Sequence, residues 1–448
     1  MKLFTFIILS VLIFFFTGIF AQETSLLKDK IIRLDSTKQE ILPAKINANQ
    51  VDSLLLVWQK EIEQQRTIAR TEFLANFNQL PDSLPILRMN NLDLNEMPDI
   101  SRFNQLIELH ADGNKFTSIP KSAFSSDSLR FVNLSGSPIK RLKIPRNNTV
   151  ISIKMETCSL SRIPFSIRKM KNLKRIYLNS FSTAHVFQAN NSIKRIPRFL
   201  KRMDSLTEIN LNYNQIKLNK SAVKRLKNIK LILLAGNGLE SLPENIGELT
   251  GARRFNLSKN QLSELPPSFS KLDSLKSVIF YENQFQHFPL EVTGLESLTD
   301  LDLYYNNINK IPVEIAHLQN LEKLYLSFNN IQVLPDAMRS MKKLKRLYIH
   351  HNELVIIPNW ITEIDSLEVL DVGYNKIIDF PDISEMPNLY EVDIQDNAIG
   401  EIPWKLARKK NLKLLFLKNN LFLEEESNLS ELKKLQTERI NECVIVID

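Results

Sequence analysis

The stretch Leu298-Thr299-Asp300-Leu301-Asp302-Leu303-Tyr304-Tyr305-Asn306-Asn307-Ile308-Asn309-Lys310-Ile311-Pro312 places apolar residues at its first, fourth, sixth and eleventh positions and an asparagine at its ninth. The frame recurs. Turns of the form Leu-x-x-Leu-x-Leu-x-x-Asn begin at Leu84, Leu106, Leu129, Val150 and Leu173, then at Leu206, Ile229, Ala252, Leu275, Leu298, Leu321, Leu344, Leu367, Leu389 and Leu412. From Leu206 to Leu412 they follow one another every 23 residues, with one step of 22. Fifteen in-phase copies mark a repeat architecture, in which no unit buries its apolar face alone and stacking completes the core.

Each position has a physical reading. The period of two within Leu-x-Leu predicts a short strand with alternate residues inside. The ninth-position asparagine is polar yet flanked by apolar positions, so it is expected to be buried and must find hydrogen-bond partners. Eleven turns carry it: Asn114, Asn214, Asn237, Asn260, Asn283, Asn306, Asn329, Asn352, Asn375, Asn397 and Asn420. Leu92, Ser137, Cys158 and Phe181 depart from it, all in the first third of the array, so the earlier turns are expected to be less uniform. Proline recurs beyond the strands (Pro243, Pro266, Pro289, Pro312, Pro335, Pro358), where a missing N–H is harmless. The stretch after it, such as Val313 to Leu318, has helix-like spacing and belongs on the outer, convex side.

Over roughly residues 84–422 the chain resembles the leucine-rich-repeat superfamily, in the 23-residue subclass with Leu/Ile-Pro after the strand. The resemblance implies an α/β solenoid: a horseshoe with a concave parallel sheet, an irregular or helical convex side and about 15 repeats. It also implies that the asparagines bind backbone groups of adjacent turns as a ladder, in which Cys158 is an accepted substitute.

The flanks read differently. Lys2 precedes an apolar run from Leu3 to Phe20, and Ala21 comes before polar Gln22, the pattern of a signal peptide over residues 1–21. The rival is an uncleaved anchor, since the run just reaches spanning length, but Thr5, Ser10 and Thr17 dilute it and no basic cluster follows. The ending Phe20-Ala21-Gln22 resembles export signals of Bacteroidetes-type bacteria. The expected location is extracytoplasmic: periplasm, cell surface or released. Residues 22–83, with Leu54 to Trp58, Ile62, Ile68, Phe73, Leu74 and Phe77, read as an N-terminal helical cap. Residues 423–448 read as a C-terminal cap, a helix with Leu429, Leu432 and Leu435 and a last strand from Val444 to Ile447.

Composition agrees. The 448 residues include 66 Leu and 42 Asn but only 10 Gly, leaving few of the tight turns that cradle phosphates in nucleotide enzymes. Two cysteines exclude a disulfide scaffold and a Cys-based zinc site, and about eleven turns separate Cys158 from Cys443, roughly 50 Å and beyond disulfide reach. Cys158 is expected to be a buried structural thiol.

Recognition residues must be those facing solvent on the strands. The second, third, fifth, seventh and eighth positions point to or border the concave face, and all nine tyrosines fall there: Tyr177, Tyr213, Tyr281, Tyr304, Tyr305, Tyr325, Tyr348, Tyr374 and Tyr390. Those columns hold 75 of 448 positions, so the placement is not random. The densest part is Ile279, Tyr281, Tyr304, Tyr305, Tyr325, Phe328, Tyr348, His350, His351 and Tyr374, flanked by Glu282, Asp300, Asp302, Asp371, Lys323, Lys345 and Arg346. Strand preference and ladder shielding at the eighth position account for Tyr213, Tyr305, Phe328 and Tyr374. They do not account for Tyr281, Tyr304, Tyr325 or Tyr348, which are expected to project to solvent. An exposed aromatic cluster rimmed by charge is typical of a binding hot spot, and its width of about 20 Å suits a protein edge or an extended peptide.

Charge supplies a second candidate. Residues 140–230 contain 22 Lys or Arg against Glu156, Asp204 and Glu208, a net of +19 inside a chain whose total is +8. Arg168, Lys169, Lys171, Arg198, Lys201, Arg202, Lys224, Arg225 and Lys227 follow the strands and belong to the convex side; Lys174 and Arg175 complete the set. Such a field favours an anionic polysaccharide or lipid head groups on a membrane surface; nucleic acid is the poorest fit for an exported chain, and a merely solvated face is the plain alternative. In the same region about ten extra residues, Ser182 to Asn191, interrupt the turn from Leu173 and carry His185, Val186 and Phe187.

Catalysis finds no support. There is no G-x-S-x-G, H-E-x-x-H, Walker A or dinucleotide fingerprint, and neither flank is long enough for a catalytic domain. His350 and His351 are adjacent on a strand and are expected on opposite faces, against joint metal ligation. The sequence therefore points to a non-enzymatic recognition protein needing no cofactor or metal, with a binder of anionic polymer as the alternative. Steep weakening by salt would mark the second.

Overall fold

A computed structural model describes residues 48–146, 149–181 and 190–447. Residues 1–47, which include the expected signal peptide, and the inserted segment 182–189 with His185, Val186 and Phe187 lie outside the described residues. The chain divides into two units, residues 1–66 and 67–448. Of the first, only the opening part of the helix Ala48–Asn76 is described. No helix among the described residues is long and apolar enough to cross a membrane.

The second unit is built on one parallel sheet of 16 strands, each three residues long and paired with its neighbour in the next turn. Register follows the repeat: Asp300 pairs with Lys323, Leu301 with Leu324 and Asp302 with Tyr325. The middle residue of each strand points inward, as Leu301, Leu324 and Leu347 do with no exposure. The sixteenth strand is the terminal segment Val444–Val446, which joins Leu414–Phe416 and carries the sheet one step past the last full repeat. The helix Glu426–Glu438 buries Leu432 and Leu435 at that end. At the other end Phe73 and Phe77 pack together at 5.4 Å, Phe77 lies edge-on to Phe103 at 5.8 Å, and the Arg102 guanidinium stacks over Phe103 at 4.2 Å. Ile68 and Leu74 face solvent, so the amphipathic pattern overstates how much of the helix packs.

On the side away from the sheet, the segments following proline form single 3₁₀ turns, such as Val313–His317 and Asp336–Ser340, rather than the α-helix suggested by their spacing. The tighter turn is the form short pieces commonly take, although Trp404–Ala407 after Pro403 closes a single α-turn. Lys220–Leu226 is α-helical instead. That turn lacks the proline, and the Asn219 side chain caps the helix by accepting from the Ala222 N–H at 3.0 Å.

The ladder is present, and it has one more rung than the motif search finds. A typical rung is Asn306. Its Oδ1 accepts from the Phe285 N–H of the preceding turn, and its Nδ2 donates to the carbonyls of Phe280 and Leu303. Asn191 repeats that pattern, accepting from Leu160 N–H at 2.8 Å and donating to the Met155 and Leu178 carbonyls at 2.9 Å. It is the ladder residue of the turn from Leu173, so the extra residues enter between the eighth and ninth positions and Phe181 is not the ninth. Cys158 fills its own rung, its thiol donating to the Leu134 carbonyl at 3.2 Å. Burial pushes that thiol up to about 12, an inert structural group. Cys158 and Cys443 are both free and buried. Asn191→Ala should therefore cost about 2–4 kcal/mol in chemical denaturation, through the buried N–H groups of Cys158 and Leu160 and the Met155 carbonyl, whereas the Leu178 carbonyl keeps Asn214.

The residue before each rung other than Asn191 is held in the left-handed region. Gly113, Gly136 and Gly236 occupy it with φ near +70°, whereas Tyr305, Phe328, His351 and Tyr374 occupy it with φ from 51° to 54°. Gly236 is required twice over, because a Cβ there would also meet the Tyr213 ring at 2.5 Å.

Candidate functional site

The eighth-position rings of four consecutive turns stack face to face. Tyr305 lies 4.2 Å from Phe328, Phe328 4.0 Å from His351, and His351 4.1 Å from Tyr374, with interplanar angles of 12° to 17°. The left-handed backbone turns each ring along the array, where it covers the ladder. A second layer leans on this column. Tyr281 stacks on Tyr304 at 5.5 Å, Tyr304 meets Tyr305 and Phe328 edge-on, and Tyr325 stacks on Tyr348 at 4.9 Å and 4°. The patch thus joins rings from five neighbouring strands.

Accessibility differs from the sequence reading. Tyr281, Tyr304, Tyr325 and Tyr348 are half-buried against one another rather than projecting freely, and the ladder-shielding Tyr305 is the one classed as exposed, at 36%. Ile279 and His350 are both 8% exposed, so they support the patch from below and offer a partner little surface. His350 and His351 share one side, their Nδ1 atoms 2.7 Å apart, because His351 has left the extended conformation that would alternate their faces. Among the described residues, no three His, Cys, Asp or Glu side chains converge as a metal site.

The flanking charges are largely spent on each other. Lys323 pairs with Asp300, Lys345 with Glu322 and Lys259 with Glu282, each at 2.9 Å across adjacent strands, and Lys259 lies over the Tyr281 ring at 5.4 Å. Burial raises the Tyr325 hydroxyl and pushes that of Tyr348 up to about 12, so both remain neutral hydrogen-bonding groups at physiological pH.

Asp302 stands apart. It sits at the fifth position between Ile279 and Tyr325, and its carboxylate accepts from the Tyr304 N–H at 3.0 Å. Burial pushes it from its ordinary 3.8 up to about 7, with that hydrogen bond opposing. Reading the fifth column vertically would have singled it out, as one carboxylate set among Ile279, Tyr325 and Tyr348. A raised folded-state pKa means its stabilising contribution is complete below pH 3.8 and is lost as pH climbs through about 7. Asp302→Asn, which keeps the acceptor without the charge, should match wild type near pH 4 and be more stable at pH 8 by about 2 kcal/mol in denaturant titrations.

The basic set is scattered over several places. Arg168, Lys171, Arg198, Lys201, Arg202, Lys224 and Arg225 line one groove on the outer side. Lys169 is tied down, donating to the Ile144 carbonyl at 2.9 Å. Arg175 belongs to the strand Arg175–Tyr177, Lys174 lines a separate cleft with Arg130, and Lys227 is exposed beyond the helix. The sequence reading missed Phe165 and Phe199 in the groove, although their places just after Pro164 and Pro197 could have flagged them.

Comparison with known proteins bears on the fold. A model described as a leucine-rich repeat region matches residues 295–380, and a single leucine-rich repeat matches 252–272. The chain has the leucine-rich-repeat solenoid fold, and these two segments match leucine-rich-repeat families. Among solved structures, a leucine-rich-repeat protein of Leptospira interrogans is 24% identical, with a TM-score of 0.64, covering 83% of this chain and 98% of its own. A chain of the Toll–Spätzle complex of Drosophila is 20% identical, with a TM-score of 0.58, over 76% of this chain and 49% of that one. An internalin of Listeria monocytogenes is 18% identical, with a TM-score of 0.49, over 76% and 82%. No curated protein matches the chain in sequence.

Proposed function

We propose that this chain is an exported, non-catalytic recognition module that holds a protein or an extended peptide against its strand face between Tyr281 and Tyr374. The observation that carries the reading is the stacked aromatic column. A bulky side chain in the left-handed region costs roughly 1–2 kcal/mol, which Gly113, Gly136 and Gly236 avoid at the same position elsewhere. Eight consecutive turns from Lys259 to Asn419 accept that cost, and in four of them the residue is a ring that stacks on the next and merges with the Tyr281–Tyr304 and Tyr325–Tyr348 pairs. Such a surface suits a partner that contributes apolar edges and backbone groups. The solenoid fold supports the reading by supplying a long continuous sheet for it, and the apolar leader supports export.

The test is capture of a binding partner by the immobilised mature chain, followed by measurement of affinity across a salt series. Docking on aromatic surface should change by less than about threefold between 50 and 500 mM salt. A fall of several orders of magnitude would transfer the function to the basic groove.

A further inference from the structure

The groove on the outer side has a volume of about 600 Å³. Three successive segments wall it: the 3₁₀ turns Phe165–Lys169 and Arg198–Arg202 and the helix Lys220–Leu226. No acidic side chain is among its lining residues, and Asp204, the nearest acid in sequence, does not reach it. Apart from Arg225, which donates to the Ile196 carbonyl, the cations lining it are exposed. So many like charges within about one Debye length of each other make a standing demand for anions.

Charge alone would suit any polyanion; the two phenylalanines narrow the choice. Phe165 is 64% exposed, edge-on to Phe199 at 5.7 Å and covered on one side by the Arg168 guanidinium at 4.2 Å. A soluble polyanion gives a bare phenyl ring in water little to bury. A bilayer surface offers phosphates to the cations and, a few ångströms deeper, an apolar boundary for the ring. The outer side of the repeats can meet a surface while the sheet stays open on the opposite side.

We propose that this groove docks the protein on an anionic lipid surface, its cations on phosphate head groups and Phe165 in the acyl boundary. The claim is independent of the strand-face reading, since the two sites share no residue. It is tested by co-sedimentation of the mature chain with phosphatidylcholine vesicles, with and without one quarter phosphatidylglycerol, with soluble polyphosphate as competitor. Binding is expected only to the mixed vesicles. R168E/R198E/K201E should abolish it, and Phe165→Ser should weaken it about tenfold while leaving polyphosphate binding unchanged. All three substituted cations and Phe165 are exposed, so unfolding curves should superimpose on wild type. Equal retention on phosphatidylcholine alone, or a Phe165→Ser chain that binds vesicles as wild type does, would overturn the proposal. The second result with strong polyphosphate competition would assign the groove to a soluble polyanion. Substitutions at Tyr325 and Tyr348 should leave vesicle binding untouched, so failure of one site does not count against the other.

Discussion

Asn329→Ala is expected to destabilise the protein by about 2–4 kcal/mol, a large effect for a single polar side chain. Asn329 is 7% exposed. Its Oδ1 accepts from the Ile308 N–H at 2.9 Å, and its Nδ2 donates to the carbonyls of Leu303 at 3.0 Å and Leu326 at 2.9 Å. Alanine leaves the buried Ile308 N–H without a partner, and the Leu303 and Leu326 carbonyls keep only the amides of Asn306 and Asn352. Asn330 is the internal control. It is the same residue one position on, its side chain is exposed, and only its backbone N–H bonds to the preceding turn, at Ile308 O. Asn330→Ala should stay within about 0.5 kcal/mol of wild type. Because a solenoid transmits stability only between neighbours, a broken middle rung should also make unfolding less cooperative, with a shallower denaturant dependence for Asn329→Ala than for wild type. Equal midpoints for the two variants would mean that the ladder is not what joins the turns.

The ladder also shows where sequence reading works and where it stops. Period and phase are visible in leucines alone, because every inward position must be apolar whatever its neighbours do; strands, register and solenoid all follow. What the motif cannot show is a residue displaced by an insertion. Asn191 lies ten residues beyond its expected place, and only its bonds to Met155, Leu160 and Leu178 identify it. The candidate site was legible as a set of columns but not as a surface. Alternation of faces is a property of extended backbone, and it fails three residues after nearly every strand, where φ turns positive. That single conformational change brings His350 and His351 together. It lays Tyr305, Phe328 and Tyr374 along the array, and lets neighbouring rings bury much of one another. The basic segment was legible as charge, but which cations share a groove depends on the turns that face each other across it.

The triple variant Y304S/Y325S/Y348S is expected to lose partner binding by at least about 100-fold, since central aromatic anchors in a hot spot contribute about 2 kcal/mol or more each. If these rings were freely projecting, that change would leave stability untouched. The geometry says otherwise: Tyr304 contacts Tyr281, Tyr305, Phe328 and His350, and Tyr325 is stacked on Tyr348. Removing those contacts should lower stability by about 2–3 kcal/mol, so lost binding alone would be ambiguous. A second variant separates the causes. Y304F/Y325F/Y348F keeps every ring and every stack and removes only the hydroxyls, so its stability should match wild type within about 1 kcal/mol. If the partner is held by ring faces, the Phe variant should bind within about tenfold of wild type. If it is held by hydroxyl hydrogen bonds, the Phe variant should fall nearly as far as the Ser variant while remaining as stable as wild type. A Ser variant that is folded and still binds at full strength would remove the aromatic patch from the binding site altogether, and its left-handed rings would then be shielding for the asparagine ladder and nothing more.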